Sequence, residues 1–260
     1  MVPPLGLSSR ALLLAAAALL LLVGARAAPA RPAPTKPRLP AMPAWAKLEP
    51  HKSWERNTSL AYNRKLAASA NASGTVYDIV FMGDSLTSLT LWVAENVPVW
   101  ESFWGAQSGL SAARMGVGGT TVEELTWRLM ANGEKLAKDP RVVVLLVGIN
   151  NQLPKQPAPK LDFLLNKYFP AAMPTTEVLV VAPLPSFRKK EAALAQLFRP
   201  IVKRCAQCSW STCGSNLVPS SPTYFTDGLH LTPAGYHHLY SCLKPTVLSL
   251  LKKQKRPKLA

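Results

Sequence analysis

The stretch Val76-Tyr77-Asp78-Ile79-Val80-Phe81-Met82-Gly83-Asp84-Ser85-Leu86-Thr87 decides the fold. Strand formers run from Tyr77 to Met82 and are wholly apolar from Ile79 onward, the pattern of a strand covered on both faces. The run breaks at Gly83-Asp84-Ser85 and leads into a helical pattern over Leu86–Glu95. A strand, a tight turn and a helix in this order lift the Ser85 hydroxyl out of the end of a buried strand.

Working outward, two similar runs predict strands at Val142–Val147 and Val178–Ala182, and a weaker one at Ala112–Val117. Helical patterns separate them at Thr121–Asn132, Leu161–Tyr168 and Lys189–Arg199, the last expected to stop or kink at Pro200. A helix over Trp54–Ala70 precedes the first strand. A final helix starts near Pro233, where a missing amide donor costs little, and runs to about Leu251. Pro245 is expected to kink or split it. Strands alternating with helices imply a doubly wound α/β sandwich on a parallel sheet. Sites in such sheets form at the carboxyl ends of strands, and Ser85, Gly119 and Asn150 all follow predicted strands.

The chain ends look different from this core. Arg10 precedes an apolar run from Ala11 to Val23, followed by Gly24-Ala25-Arg26-Ala27. At about 13 residues the run is short for a bilayer span, which takes about 20. The small residues fit a cleavage site, so residues 1–27 read as a signal peptide and the protein as secreted or in the secretory pathway, with cell-wall association open. Residues 28–50, dense in proline, read as an extended linker or stalk outside the fold. The folded domain is expected over 51–251, followed by a basic tail at 252–260. The net charge of +16 is assigned largely to the tails. An acidic polysaccharide or anionic membrane surface is a partner open to such a charge; no nucleic-acid module is present.

Four cysteines, Cys205, Cys208, Cys213 and Cys242, suggest two disulfides in a secreted chain, with three pairings open. A zinc site at Cys205-x-x-Cys208 lacks a second ligand pair. Asn57-Thr58-Ser59 and Asn71-Ala72-Ser73 are glycosylation sequons, relevant only in the secretory pathway.

The candidate chemistry comes from joint occurrence. Serine needs a general base within hydrogen-bond reach. His230 is the best candidate, with Asp227 three residues earlier to orient it. His237 and His238 fall on the final helix, and His51 at the linker edge. The Ser85 amide, the Gly118-Gly119 backbone and the Asn150 side chain can supply donors to an oxyanion. Each motif alone is bland. A serine after a strand is commonly a helix cap, and Asp227/His230 alone could be a capped turn. Their occurrence together, in order, points to acyl transfer.

These residues resemble the SGNH (GDSL-type) hydrolase superfamily, most closely its platelet-activating-factor acetylhydrolase Ib catalytic-subunit-like group. Gly83-Asp84-Ser85-Leu86, Gly116-Val117-Gly118-Gly119-Thr120-Thr121, Gly148-Ile149-Asn150-Asn151 and Asp227-Gly228-Leu229-His230 match its four blocks. Thr126-Trp127-Arg128-Leu129 adds to the likeness. The resemblance implies a three-layer α/β/α sandwich with a mostly parallel five-stranded sheet. It also implies Ser85 as nucleophile, His230 as base, Asp227 as its partner, and Ser85, Gly119 and Asn150 as the oxyanion hole. No metal or cofactor is implied. Arg114, Asn151 and the stretch Cys205–Cys213 depart from the common pattern. The nucleophile lacks the G-x-S-x-G elbow of α/β-hydrolases.

The expected function is a secreted esterase removing short acyl groups, acetyl above all, from a polysaccharide or glycan. A lipid esterase at a membrane surface and a non-catalytic secreted binding module are the alternatives. Trp92, Trp100 and Trp104 are expected mainly in the core. The run Arg188-Lys189-Lys190 follows the Val178–Ala182 strand at the catalytic edge; attraction of an anionic substrate is one role open to it, and a solvated helix start is the expected one.

Overall fold

The computed structural model describes residues 38–48, 53–152 and 157–254. Five strands make one all-parallel sheet: β1 Ile79–Gly83, β2 Ala112–Gly116, β3 Val142–Leu146, β4 Glu177–Val181 and β5 Cys208–Ser211. Their order is β2-β1-β3-β4-β5. Side chains along each strand point alternately to opposite faces. Val80, Met82, Val143, Leu145, Val178 and Val180 therefore enter one core, while Ile79, Phe81, Val142, Val144, Leu179 and Val181 enter the other. That is why these strands are apolar at every position rather than at alternate ones.

The first core is covered by α1 (Trp54–Ser73), α4 (Val122–Met130), the helical stretch Pro157–Ala172 and α7 (Glu191–Arg204). The second is covered by α3 (Val97–Trp104) and α8 (Pro233–Lys253). Helix α2 (Ser85–Trp92) leaves the end of β1. The stretch Pro157–Ala172 comprises α5 (Pro157–Phe163), a π turn (Leu164–Tyr168) and α6 (Phe169–Ala172). The result is the three-layer α/β/α sandwich expected.

Several expectations need correcting. Helix α7 does not stop at Pro200 but runs on to Arg204, and α8 is not split at Pro245. A proline removes one interior hydrogen bond, but Phe198, Ile201 and Val202 are buried around the first, and Tyr240, Leu243, Val247 and Leu250 around the second. Their burial outweighs the lost bond. The fifth strand, Cys-Ser-Trp-Ser, has no β-branched run and is located by its pairing with β4. The linker expected at 28–50 is not wholly outside the fold. Ala46 is buried, and the Trp45 ring meets Phe163 edge-on at 5.6 Å. Lys252 and Lys253, expected in the tail, end α8. The expected signal peptide, positions 28–37 and 49–50 of the linker, His51 and the tail from Lys255 lie outside the described residues.

The cysteines pair as Cys205–Cys208 and Cys213–Cys242. With Cys205 and Cys208 bonded to each other, neither offers zinc a thiolate. Among the described residues no helix is long and apolar enough to cross a membrane.

Candidate active site

The sheet reverses its winding between β1 and β3, since β2 lies beside β1 on one side and β3 on the other. Ligand crevices open at such switch points, outside the carboxyl ends of the strands. Ser85 follows β1 and Asn150 follows β3. Gly83 makes the turn out of β1 possible: its φ is 158°, and a Cβ there would run into the Leu146 carbonyl oxygen. Asp84 caps α2, its Oδ1 accepting from the Leu86 amide at 3.0 Å.

The Ser85 hydroxyl meets His230 Nε2 at 3.0 Å, and His230 Nδ1 meets Asp227 Oδ2 at 2.7 Å. A carboxylate only accepts, so Nδ1–H donates to Asp227 and leaves Nε2 to accept from Ser85. Asp227 is held by its own turn, Oδ1 accepting from the amides of Leu229 at 3.0 Å and His230 at 2.7 Å. Burial pushes the Asp227 carboxyl up, but the His230 amide and ring and the Leu229 amide outweigh it and hold its pKa below the ordinary value. Asp84 behaves oppositely. Burial raises its pKa to about 7 against the Leu86 amide and the charges of Arg188 and Arg128.

Ser85, Gly119, Asn150 and His230 line one cleft of about 580 Å³, and Arg188 lines it too. Trp54, Leu89, Trp92, Val93 and Leu229 give this cleft apolar walls. Trp54 and Trp92 are two of the exposed large hydrophobic residues. Trp100 and Trp104 are core residues, 2% and 0% exposed, as expected. Trp92 is not: at 45% exposure it forms part of the cleft wall. A second cavity of about 760 Å³ shares Gly119, Asn150 and Arg188 with the first and is bounded by Trp45, Lys47 and Lys160.

The surrounding arginines were not legible as site residues. Arg56, from α1, donates to the Gly118 carbonyl at 2.8 Å and pairs with Glu124. Glu124 also closes the capping box of α4 with Thr121. Arg128 is fully buried. It donates to the Glu134 carboxylate, to Gly83 O at 2.8 Å, to Met115 O at 2.6 Å and to Thr120 Oγ1 at 3.3 Å. It thereby ties the ends of β1 and β2 to the loop carrying Gly119. The run Arg188-Lys189-Lys190 leads into α7 with Arg188 and Lys189 exposed, as expected, but two of its side chains also reach the loop after β3. Arg188 donates to Ile149 O at 3.1 Å and Asn150 Oδ1 at 2.7 Å, and Lys190 to Asn151 O at 2.6 Å. Burial, with the Arg188 charge, lowers the Lys190 pKa. Arg114, the departure noted in the second block, donates to Thr90 O and lies 4.7 Å from the Trp100 ring. Asn151 accepts from the Val122 amide at 3.1 Å, anchoring the start of α4.

The sequons differ from each other. Asn57 is exposed on α1. The Asn71 amide is engaged at both ends, donating to Lys135 O at 3.0 Å and accepting from the Ala137 amide at 2.6 Å.

Fold and site together describe a parallel α/β hydrolase with a serine at the switch point. The profile of the GDSL-like Lipase/Acylhydrolase family matches residues 81–238. The chain belongs to that family and is a carboxylic ester hydrolase. It is 27% identical over 187 residues to platelet-activating factor acetylhydrolase IB subunit alpha2 of Homo sapiens, covering 67% of this chain and 78% of the relative. To the alpha1 subunit of Mus musculus it is 29% identical over 189 residues, covering 67% and 76%. Among solved structures, a Streptococcus pneumonia protein overlays with a TM-score of 0.62 at 20% identity, covering 74% of this chain and 92% of that one. A Clostridium thermocellum family 3 carbohydrate esterase overlays at 0.52 and 19%, covering 69% and 98%. At these identities the overlays speak for the fold.

Proposed function

We propose that this chain is a secreted serine esterase that removes short acyl groups, acetyl above all, from a polysaccharide or glycan. The observation that carries the catalytic part is the continuous line from Ser85 Oγ through His230 to Asp227, at 3.0 and 2.7 Å. Ser85 attacks the ester carbonyl while His230 Nε2 takes its proton. The negative charge on the carbonyl oxygen is met by the Ser85 and Gly119 amides and by Asn150 Nδ2. His230 then gives its proton to the departing alcohol, releasing it and leaving an acyl-Ser85 ester. Water, deprotonated by His230, attacks that ester and frees the acid. Asp227 holds the imidazole in the working tautomer and stabilises the imidazolium.

Residues 1–27 are proposed as the secretory segment, 28–50 as a proline-rich tether whose end docks through Trp45, and 51–251 as the hydrolase domain. The basic tail at 252–260 and the net positive charge suit an acidic polysaccharide or anionic surface. Two disulfides suit an oxidising compartment. Asn57 is the better glycan acceptor, because a glycan on Asn71 would load an amide that already bridges to Lys135 and Ala137. The acetyl preference rests on likeness to relatives named as acetylhydrolases.

One observation favours a second reading. The apolar Trp54, Leu89, Trp92 and Val93 wall a cleft of about 580 Å³, more than an acetyl group fills. That wall suits a longer acyl chain and a lipid ester. The deciding experiment measures initial rates on p-nitrophenyl esters from acetate to palmitate with wild type and Ser85→Ala. A maximum at acetate, lost in the variant, supports the deacetylase. A maximum at long chains moves the assignment to lipid. Equal rates for the two proteins overturn the serine mechanism and leave the binding module.

A further inference from the structure

We infer that Arg188 is a positioning residue for the oxyanion-hole amide of Asn150. This rests on the serine-esterase reading above. It adds a residue that the four sequence blocks do not contain.

Three observations carry it. The first is contact. The Arg188 guanidinium donates to Asn150 Oδ1 at 2.7 Å and, through the same nitrogen, to the carbonyl of the preceding residue, Ile149, at 3.1 Å. On the other side, Asn150 Nδ2 donates to Thr120 O at 3.2 Å. A primary amide has one acceptor oxygen and two N–H donors. Arg188 claims the oxygen and Thr120 one hydrogen, which leaves the second N–H for a ligand. Rotating the amide by half a turn would set Oδ1 against Thr120 O and the amide nitrogen against the guanidinium. Both contacts would be repulsive. The side chain is thus held with its donor end toward the loop that carries Gly119.

The second observation is the backbone that delivers the guanidinium. Lys189 has φ 52° and is the one non-glycine residue with positive φ among the described residues. A side chain there costs roughly 1 kcal/mol or more, and such positions cluster at functional sites. Arg188 and Lys190 flank this bend and address successive residues of one loop, Ile149 and Asn150 from Arg188 and Asn151 from Lys190. Arg188 and Lys189 are themselves exposed at the start of α7, so it is these bonds and the bend, not burial, that mark the contact with the loop.

The third is chemistry. A charge-assisted hydrogen bond to an amide oxygen is about twice as strong as a neutral one. It also polarises the amide, making its N–H a better donor to an anion. The oxyanion exists in the transition state and not in the ester, so loss of this bond falls on kcat rather than on KM.

The test is a double-mutant cycle with p-nitrophenyl acetate. Asn150→Ala is expected to lose about 100- to 1000-fold in kcat, the range for one oxyanion donor. Arg188→Ala is expected to lose roughly 10- to 100-fold in kcat with KM within about 3-fold, at unchanged thermal midpoint. In the Asn150→Ala background, Arg188→Ala should cost less than about 3-fold, since its target is gone. Arg188→Lys, which keeps the charge but not the planar fork, should recover part of the loss. Equal losses in both backgrounds overturn the proposal, as does a change confined to KM, which would make Arg188 a binding residue. An Asn150→Ala variant with full kcat overturns it as well. If Ser85→Ala retains activity, the esterase mechanism itself has failed; if Ser85→Ala is dead and the cycle is additive, only the Arg188 inference has.

Discussion

Replacing Arg128 by methionine tests how the site is held from beneath. Arg128 and Glu134 are 0% and 1% exposed at their side chains. The guanidinium directs its hydrogens to Glu134, Gly83, Met115 and Thr120. Arg128→Met keeps the stem and deletes every one of these donors. Glu134 retains the Asn132 amide at 2.9 Å, which is far too little for a buried carboxylate. Breaking a buried pair by removing one partner costs about 3–5 kcal/mol. Against a typical stability of about 5–15 kcal/mol, the loss is large enough to read directly. The assay is urea unfolding followed by tryptophan fluorescence, with slopes compared to exclude a change in the unfolded state. The decisive partner is Arg128→Met with Glu134→Leu. If the stranded carboxylate is the main cost, removing it should recover about 2 kcal/mol or more, although the Gly83, Met115 and Thr120 acceptors stay unpaired. A double variant no more stable than Arg128→Met alone would refute that reasoning and assign the cost to the three acceptors.

Two further outcomes follow from titration and from the disulfides. Asp84 has a folded pKa of about 7 against 3.8 for the free side chain, so the folded protein holds this proton more tightly than the unfolded chain. The resulting stability is complete below about pH 4 and is lost as pH rises toward 7, and Asp84→Asn should abolish that slope in urea midpoints measured from about pH 4 to 8. Asp227 has the opposite sign, its contribution present above pH 3.8 and lost as pH falls through its lowered value, so it leaves the Asp84 window clear. Cys213–Cys242 closes 29 residues and Cys205–Cys208 closes 3. By loop entropy, Cys→Ser at both ends should cost about 3–4 kcal/mol for the first and about 1–2 for the second, and equal losses in urea unfolding would count against that account.

What was legible in the sequence was local. Strands β1, β3 and β4 announce themselves because a sheet buried on both faces needs apolar residues at every position. The proposed catalytic residues were legible because each sits in a short motif at a strand end or on a late loop. What was not legible depends on pairings distant in sequence. Arg56 meets Gly118 across 62 residues, and Arg188 meets Asn150 across 38. Nothing in Trp54-Glu55-Arg56 or Ser186-Phe187-Arg188 tells that these arginines bond oxygens of loops distant in sequence. Strand β5 failed for the same reason: Cys208–Ser211 is a strand because β4 offers it an edge. Pro200 and Pro245 do not end their helices, because a helix-breaking propensity is a local cost and the burial that overrides it is not.

The arginines share a physical task. Loops that follow parallel strands carry carbonyl oxygens as well as amides, and a carbonyl turned toward a forming oxyanion would repel it. In a trans peptide the carbonyl oxygen and the next amide hydrogen point in opposite directions. Arg56, by drawing Gly118 O to itself, turns the Gly119 N–H away from itself. Arg188 does the equivalent for the side-chain amide of Asn150, and Arg128 fixes Thr120 between them. On the serine-esterase reading, the cations therefore act by disposing of competing acceptors, so that the groups left facing the cleft are donors. This predicts an order of sensitivity. Removing Arg56 should affect mainly the Gly119 contribution and removing Arg188 mainly the Asn150 contribution, because each arginine bonds a different group, Gly118 O and Asn150 Oδ1, although the loops also meet where Asn150 Nδ2 donates to Thr120 O at 3.2 Å. Their kcat losses should multiply in Arg56→Ala/Arg188→Ala, whereas those of Arg188→Ala and Asn150→Ala should not. A cycle in which all three couple equally would mean that the loops move as one body, and that the separate bracing argued from Gly118 O and Asn150 Oδ1 is wrong.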